Sequence, residues 1–235
     1  MTIDIIIPYY KGRLFTEQCI ESILKNVVGR PYHIILVDDG SFENVRVTYP
    51  NFTKISLGNH SGYVKSVNVG LKRCVGDVIC LLNNDTIVGK DAIIKLSDFV
   101  LSHKDVGLAS PMSNQYGYYI HPDKIGDYKP EENYKKMDTL FGFCLVFRRD
   151  VYDKIGNFDE RFGIGLCEET DYCLKSLDSG YINALYFGAY IYHFGSITLS
   201  KLYPNWKSEI YKENWAKLKK KWEGKYSEVF ASGGV

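Results

Sequence analysis

Apolar and polar positions along the chain fall into stretches of two alternating kinds. Ile3 to Pro8 is a β-branched run closed by proline, His33 to Val37 is a second apolar run, and Val78 to Leu82 is a third, inside the stretch DVICLLNNDT. Short continuous runs of this sort suit strands buried on both faces of a parallel sheet. Between them the period changes. Phe15, Cys19, Ile23 and Val27, with Ile20 and Leu24 beside them, repeat at helical spacing until Gly29-Arg30-Pro31 stops them. Val64, Val67, Leu71 and Cys74 do the same after Ser61, which is placed to cap that helix. Thr53 to Leu57 reads as a short strand, Asp91 to His103 as a helix and Val106 to Ser110 as a strand. The alternation predicts an α/β fold with a mostly parallel central sheet and helices on both faces.

From Met112 to Asp138 the pattern fails. Tyr116, Tyr118, Tyr119, Tyr128 and Tyr134 lie there among prolines, glycines and charges, and the segment reads as a long irregular excursion of the kind that often serves function. Regular structure returns with Thr139 to Phe147, a helix near Asp150 to Ile155, and a loop from Gly156 to Gly163. Glu168-Glu169-Thr170-Asp171 opens a helix that Gly180 ends, and Ile182 to Phe187 and Tyr190 to His193 read as two closing strands. The tail carries Tyr211, Trp215, Leu218 and Trp222 at helical spacing among lysines 207, 212, 217, 219, 220 and 221. Two readings suit it: a helix packed on the domain with its lysines solvated, which is preferred, or an amphipathic helix lying in a membrane interface through residues 205–222. The expected division is one domain over 1–204, with halves 1–110 and 111–204, and a basic tail over 205–235.

Composition narrows the field. Of 235 residues, 45% are apolar and 24% charged, the balance of a folded globular domain rather than a disordered chain. A net charge of +1 gives no reason to expect a nucleic-acid partner. The cysteines at 19, 74, 80, 144, 167 and 173 form no CxxC pair, which points to reduced core residues and a cytoplasmic location, at most peripheral at a membrane surface. MTIDIIIPYY shows no leader pattern, and no apolar run approaches the roughly 18 residues of a membrane helix.

The polar residues just past the apolar runs carry the chemistry. In open α/β sheets ligands sit at the carboxyl ends of the strands. Asp38-Asp39, Asn83-Asn84-Asp85, Glu168 to Asp171 and His193 fall where that edge should be. A hard divalent cation that also holds phosphates takes one or two carboxylates from the protein, sometimes with an imidazole, and Asp85 with His193 meets that need. No GxGxxG follows the first strand and no GxxxxGK[ST] occurs, so phosphates here would be neutralised chiefly by metal.

These residues reach a known family. IIIPYYKG, the strand ending VDDGS, NHSGYVKSVNVGLKRCVGDVICLLNNDT, then FGFCLVFRRDVYDKIGNFDERFGIGLCEETDYCLKSLDSGY and YHFGS resemble family 2 glycosyltransferases of the GT-A fold, in its rhamnosyltransferase-like bacterial or viral branch. The motifs occur in the family's order from about Ile3 to Thr198. The resemblance implies a metal-dependent, inverting transfer of a sugar from a UDP-, GDP- or dTDP-sugar to a glycan or lipid-linked acceptor. It implies nucleotide contacts from Pro8, Tyr9 and Asp38 or Asp39, with Ser196 close by His193. Asn83-Asn84-Asp85 matches the D-x-D motif, so Asp85 and His193 would hold Mn²⁺ or Mg²⁺. Glu168-Glu169-Thr170-Asp171 matches E-D-x-D, whose second acid is the base, here Glu169, with Glu168 and Asp171 as the other acids that could reach the acceptor. Two departures stand out: Asn83 replaces the first acid of D-x-D, and the base is Glu where Asp is usual. The competing expectations are a nucleotidyltransferase and a catalytically weak module that binds nucleotide sugar or glycan.

Overall fold

The computed structural model describes residues 1–195, 205 and 209–231. In chain order its elements are β1 (Ile3–Tyr9), α1 (Arg13–Asn26), β2 (Tyr32–Asp38), β3 (Phe52–Ser56), α2 (Tyr63–Leu71), β4 (Val78–Leu82), β5 (Thr86–Val88), α3 (Ala92–Ser102), β6 (Val106–Met112), β7 (Tyr134–Met137), β8 (Cys144–Arg148), α4 (Arg149–Ile155), α5 (Glu168–Asp178), β9 (Ile182–His193), α6 (Ile210–Lys221) and α7 (Ser227–Ala231). Among the described residues the strands join in the order β3-β2-β1-β4-β8-β6-β9-β5, with β7 along the outside of β9.

The sheet is parallel through β3-β2-β1-β4, as the alternation predicts, with Ile3 in register with both Tyr32 and Val78. Beyond β4 it becomes mixed. The chain enters β8 at the same edge where β4 ends, Cys144 lying opposite Leu82, so β8 must run back against β4. β6 is antiparallel to β8 and parallel to β9.

Strand alternation sends successive side chains into two apolar layers. Ile5 and Ile7 face one, with Cys19, Ile20 and Ile23 of α1 and Ile93 and Leu96 of α3. Ile6, Ile35 and Val37 face the other, with Val64, Val67 and Leu71 of α2 and Tyr172 and Leu174 of α5. Each such fully buried aliphatic side chain contributes about 1.5–3 kcal/mol. Helix α2 lies so close to β1 that a Cβ on Gly70 would stand 2.5 Å from Ile6 Cγ2.

Several expectations are corrected here. The 112–138 excursion contains two 3-10 turns, Asn114–Tyr116 and Pro122–Asp127, and the strand β7, whose YKKM sequence hides it because only its ends are half-buried. The two closing strands are one, β9; the β6 register jumps from Pro111 opposite Tyr186 to Met112 opposite Tyr190, and the irregular step spans Gly188. Ser61 does not cap α2. The cap position belongs to Gly62, and the Ser61 backbone N–H turns instead to Asp39.

Candidate active site

The parallel register brings the ends of β1, β2 and β4 to one edge, and β4 runs straight into Asn83-Asn84-Asp85. Three residues later β5 pairs antiparallel with the end of β9, Thr86 opposite His193. That register sets His193 Nε2 3.1 Å from Asp85 Oδ1. The imidazole is held firmly. Its backbone N–H donates to Asn114 Oδ1 at 2.9 Å, its carbonyl accepts from Asn114 Nδ2 at 2.9 Å, and its ring stacks on Phe143 with centroids 5.1 Å apart. Nδ1 is buried and has no hydrogen-bond partner among the described residues.

One carboxylate and one imidazole aimed at each other are a donor set that suits a hard or borderline divalent cation. Among the described residues no group of three His, Cys, Asp or Glu could enclose such an ion unaided, so most of its coordination would come from another molecule. The neighbouring asparagines are engaged elsewhere. Asn83 Oδ1 accepts from Tyr63 OH at 3.1 Å, and Asn84 Nδ2 donates to Thr16 Oγ1 at 2.9 Å.

Phe143 links this pair to the glutamates. Its carbonyl accepts the Asn83 backbone N–H at 2.8 Å, while the preceding residue presses on α5: a Cβ on Gly142 would lie 2.9 Å from Glu169 Cβ. Asp85, His193 and Glu169 therefore gather around the short Gly142-Phe143 segment. Tyr63 adjoins them, its hydroxyl donating to Asn83. Burial first, then the charges of Glu168, Glu169 and Asp85, push its phenol well above its ordinary value.

Glu168 and Glu169 open α5. Burial pushes the Glu168 carboxyl well above the usual range, the adjacent Glu169 charge adding to it. Burial also raises Glu169, but backbone N–H groups at the helix start pull against it. Of the two, Glu168 holds its proton more tightly, and Glu169 is the one poised to accept another. Glu168 Oε2 is buried with no hydrogen-bond partner among the described residues. The turn that delivers the pair is strained: Leu166 and Cys167 adopt φ of 75° and 70°, which costs side-chain-bearing residues roughly 1–3 kcal/mol each.

The residues expected to meet a nucleotide divide into two groups. Pro8 is buried inside β1, and Tyr9 is buried too, its hydroxyl donating to Glu43. Asp38 accepts from Ser41 N at 2.8 Å and Lys54 Nζ at 2.9 Å; burial alone would raise its pKa, and these contacts outweigh it, so it is lowered. Asp39 accepts from the backbone N–H groups of Ser61 and Gly62 at 2.6 and 2.9 Å and lies 2.7 Å from His60 Nδ1. The half-buried residue at this edge is Tyr10, stacked on His60 with centroids 3.7 Å apart. The sequence signal was available: Tyr9 continues the in-out alternation of Ile5 and Ile7, whereas Tyr10 is the first aromatic past the strand. Tyr63, Gly142, Phe143 and Asn114 were also missed, and nothing in their local pattern marks them.

Asp171 belongs to another network. Fully buried, it accepts from Lys221 Nζ at 2.7 Å and Trp222 Nε1 at 2.8 Å, so its carboxylate is taken up by the tail. Ser196 lies outside the described residues. The tail helix α6 packs on the domain, Leu218 and Trp222 entering the layer that covers α2 and α5, and Trp215 lying half-buried against it. Among the described residues no helix is long and apolar enough to cross a membrane.

Comparison with known proteins agrees with this fold. Residues 4–156 match the family described as Glycosyl transferase family 2. The chain is 30% identical over 170 residues to the uncharacterized glycosyltransferase YwdF of Bacillus subtilis (strain 168), a match covering 68% of this chain and 62% of that protein. It spans about half the length of some curated relatives, 46% of one from Mycobacterium tuberculosis (strain ATCC 25618 / H37Rv). Among solved structures, S. aureus TarS 1-349 in complex with UDP-GlcNAc superposes with a TM-score of 0.67 at 18% identity, covering 96% of this chain and 68% of that 1-349 chain. GalNAc-T7 with UDP, GalNAc and Mn²⁺ gives 0.66 at 13%, covering 99% and 57%. At these identities the likeness speaks for the fold.

Proposed function

Since the chain belongs to glycosyl transferase family 2, we propose that it transfers a sugar, with inversion, from a nucleoside diphosphate sugar to an acceptor hydroxyl on a glycan or lipid-linked glycan. The observation that carries this reading is the convergence on Gly142-Phe143. A pair able to hold a cation and a half-buried glutamate on the facing helix are joined through two consecutive residues. Solved neighbours that hold UDP-GlcNAc, or UDP with Mn²⁺, add support at the level of fold.

In this mechanism Glu169 accepts the acceptor's hydroxyl proton as that oxygen attacks the anomeric carbon. The bond from that carbon to the diphosphate breaks on the opposite face, which inverts the configuration. Asp85 and His193 would hold Mn²⁺ or Mg²⁺, whose charge, when the ion is bound, offsets that of the departing diphosphate. Tyr10 and His60 offer a planar platform for the base, and Asp39 keeps the 60–62 loop beside it. Glu168 is pushed up further by burial and by the Glu169 charge, so of the pair Glu169 is the one more ready to carry the negative charge at the base position. Alignment of the two substrates supplies much of the remaining acceleration.

The test is to incubate the protein with UDP-GlcNAc, UDP-galactose, GDP-mannose and dTDP-rhamnose in turn, with Mn²⁺ or with EDTA. The expected result is slow release of nucleoside diphosphate from one donor, abolished by EDTA. Asn83, a neutral residue at the first D-x-D position, favours one second reading, a module that binds without turnover. Saturable donor binding with no release would establish that reading instead.

A further inference from the structure

We propose that Asn214 is a positioning residue for the Glu169 base, its side-chain amide holding the strained turn 162–167 in the shape that aims the start of α5 at the acceptor. The inference rests on the reading of Glu169 as base. It gives the C-terminal helix, which lies beyond the family match, a part in the reaction.

Asn214 sits on the inner face of α6 and is only 3% exposed. Its Nδ2 lies 3.0, 2.8 and 3.1 Å from the carbonyl oxygens of Phe162, Gly165 and Leu166. Its Oδ1 accepts from Lys217 Nζ at 3.0 Å, and the same ammonium donates to Arg161 O at 3.1 Å, so the amide's orientation is fixed. Buried carbonyls in an irregular turn need donors, and one amide here serves three of them. The turn's other side is bound to α2, where Gly163 O accepts the Val64 N–H at 3.2 Å. Leu166 and Cys167, both left-handed, come next, and then Glu168 and Glu169.

The tail meets α5 a second time. Lys221 and Trp222 bind both oxygens of Asp171, two residues beyond the base, so the tail grips the helix and the turn before it. A helix that needed only to cover the core would place leucine at position 214. Among the described residues the groups facing Glu169 are Glu168 and Cys173 on its own helix, Cys167 before it, Tyr63 from α2 and Tyr211 from α6. None of these is cationic. The elevated pKa of Glu169 therefore depends on the turn staying closed against water.

The experiment compares the full chain with Asn214→Ala, Asn214→Asp, Asn214→Gln and, as a stability control on the same helix, Leu218→Val. Donor hydrolysis is followed with UDP-GlcNAc, UDP-galactose and GDP-mannose plus Mn²⁺ across pH, together with UDP binding and hydrogen exchange at residues 163–169. The expected result for Ala and Asp is a fall in kcat of about tenfold or more. UDP affinity should stay within about twofold, the acid limb of kcat should move to lower pH as water reaches Glu169, and exchange at 163–169 should quicken. Gln should recover part of the rate, and Leu218→Val should lower the melting temperature without moving the acid limb. If the Ala and Asp variants melt earlier but keep kcat, acid limb and exchange unchanged, Asn214 is only a packing residue and the inference is overturned. Wild-type protein that turns over none of the donors refutes the transferase reading instead, and the exchange rates at 163–169 then decide whether the amide holds the turn.

Discussion

Two pairs of adjacent acids lie at the ligand edge, and the fold treats them in opposite ways. Asp38 and Asp39 end β2 with their carboxylates matched to Ser41, Lys54, two backbone N–H groups and His60. Among the described residues, Glu168 and Glu169 begin α5 with no cation among the groups that shift their pKa values and with one oxygen, Glu168 Oε2, buried and unpartnered. The consequence is a difference in sign. Asp38 is held below its ordinary value, so its contribution to stability is present above the usual carboxylate range and is lost as pH falls through its folded value. The glutamates are held above theirs, so the fold is favoured by their protonated forms, and that contribution is lost as pH rises through their raised values. An acid whose oxygens are satisfied fixes a loop; one that is buried and under-satisfied keeps an appetite for protons that a reaction can use.

The largest effect that could sharpen the contrast is at Glu169. Glu169→Gln removes the proton acceptor while preserving shape, and kcat is expected to fall by about 10²–10⁴-fold. Donor affinity, measured by titration with UDP-sugar and Mn²⁺, should be nearly unchanged. Transfer that survives the substitution would remove Glu169 from the base role.

A smaller effect is expected one residue earlier. Burial holds the Glu168 proton more tightly than that of Glu169, so Glu168→Gln, which mimics the protonated acid, should keep kcat within about tenfold of wild type. The wild-type kcat profile should fall on the acid side with a midpoint above 4.5, the ordinary glutamate value, because burial raises Glu169. The same limb should persist in Glu168→Gln. If Glu168→Gln is as inactive as Glu169→Gln, the two roles are reversed.

How much of this was legible beforehand follows the same division. Strand ends announce themselves: Val78 to Leu82 is a buried apolar run that stops at polar residues, and it coincides with β4 residue for residue. The family's ordered motifs pointed to Asp85, His193 and Glu169, which the structure gathers around Gly142-Phe143. What local pattern could not supply was which oxygen of which acid is already satisfied. Asp171 matched a motif as well as Glu169 did, yet Lys221 and Trp222, some fifty positions downstream, occupy it. Tyr9 and Tyr10 are neighbours of the same type, and only the point where β1 ends separates a buried ring from a half-buried one. The mixed half of the sheet was hidden for a related reason, since strand direction in β8 is set by where the chain arrives and not by its composition.

The smallest effect probes the satisfied pair. Lys54→Ala removes one partner of the Asp38 carboxylate and leaves the Ser41 N–H in place. Lys54 is partly exposed, so the loss should be modest, about 1 kcal/mol at neutral pH, or a fall of about 2–4 °C in melting temperature. kcat should not change, because neither group is asked to move a proton. The informative part is the pH dependence. Once Asp38 is protonated there is no ion pair to lose, so the stability gap between wild type and Lys54→Ala should close as pH falls below the carboxylate range. Urea unfolding of both proteins from pH 7 to pH 3 would measure it. A gap that stays constant to the acid end would mean that Lys54 acts through its aliphatic stem against β2, and that Asp38 is held down by the turn alone.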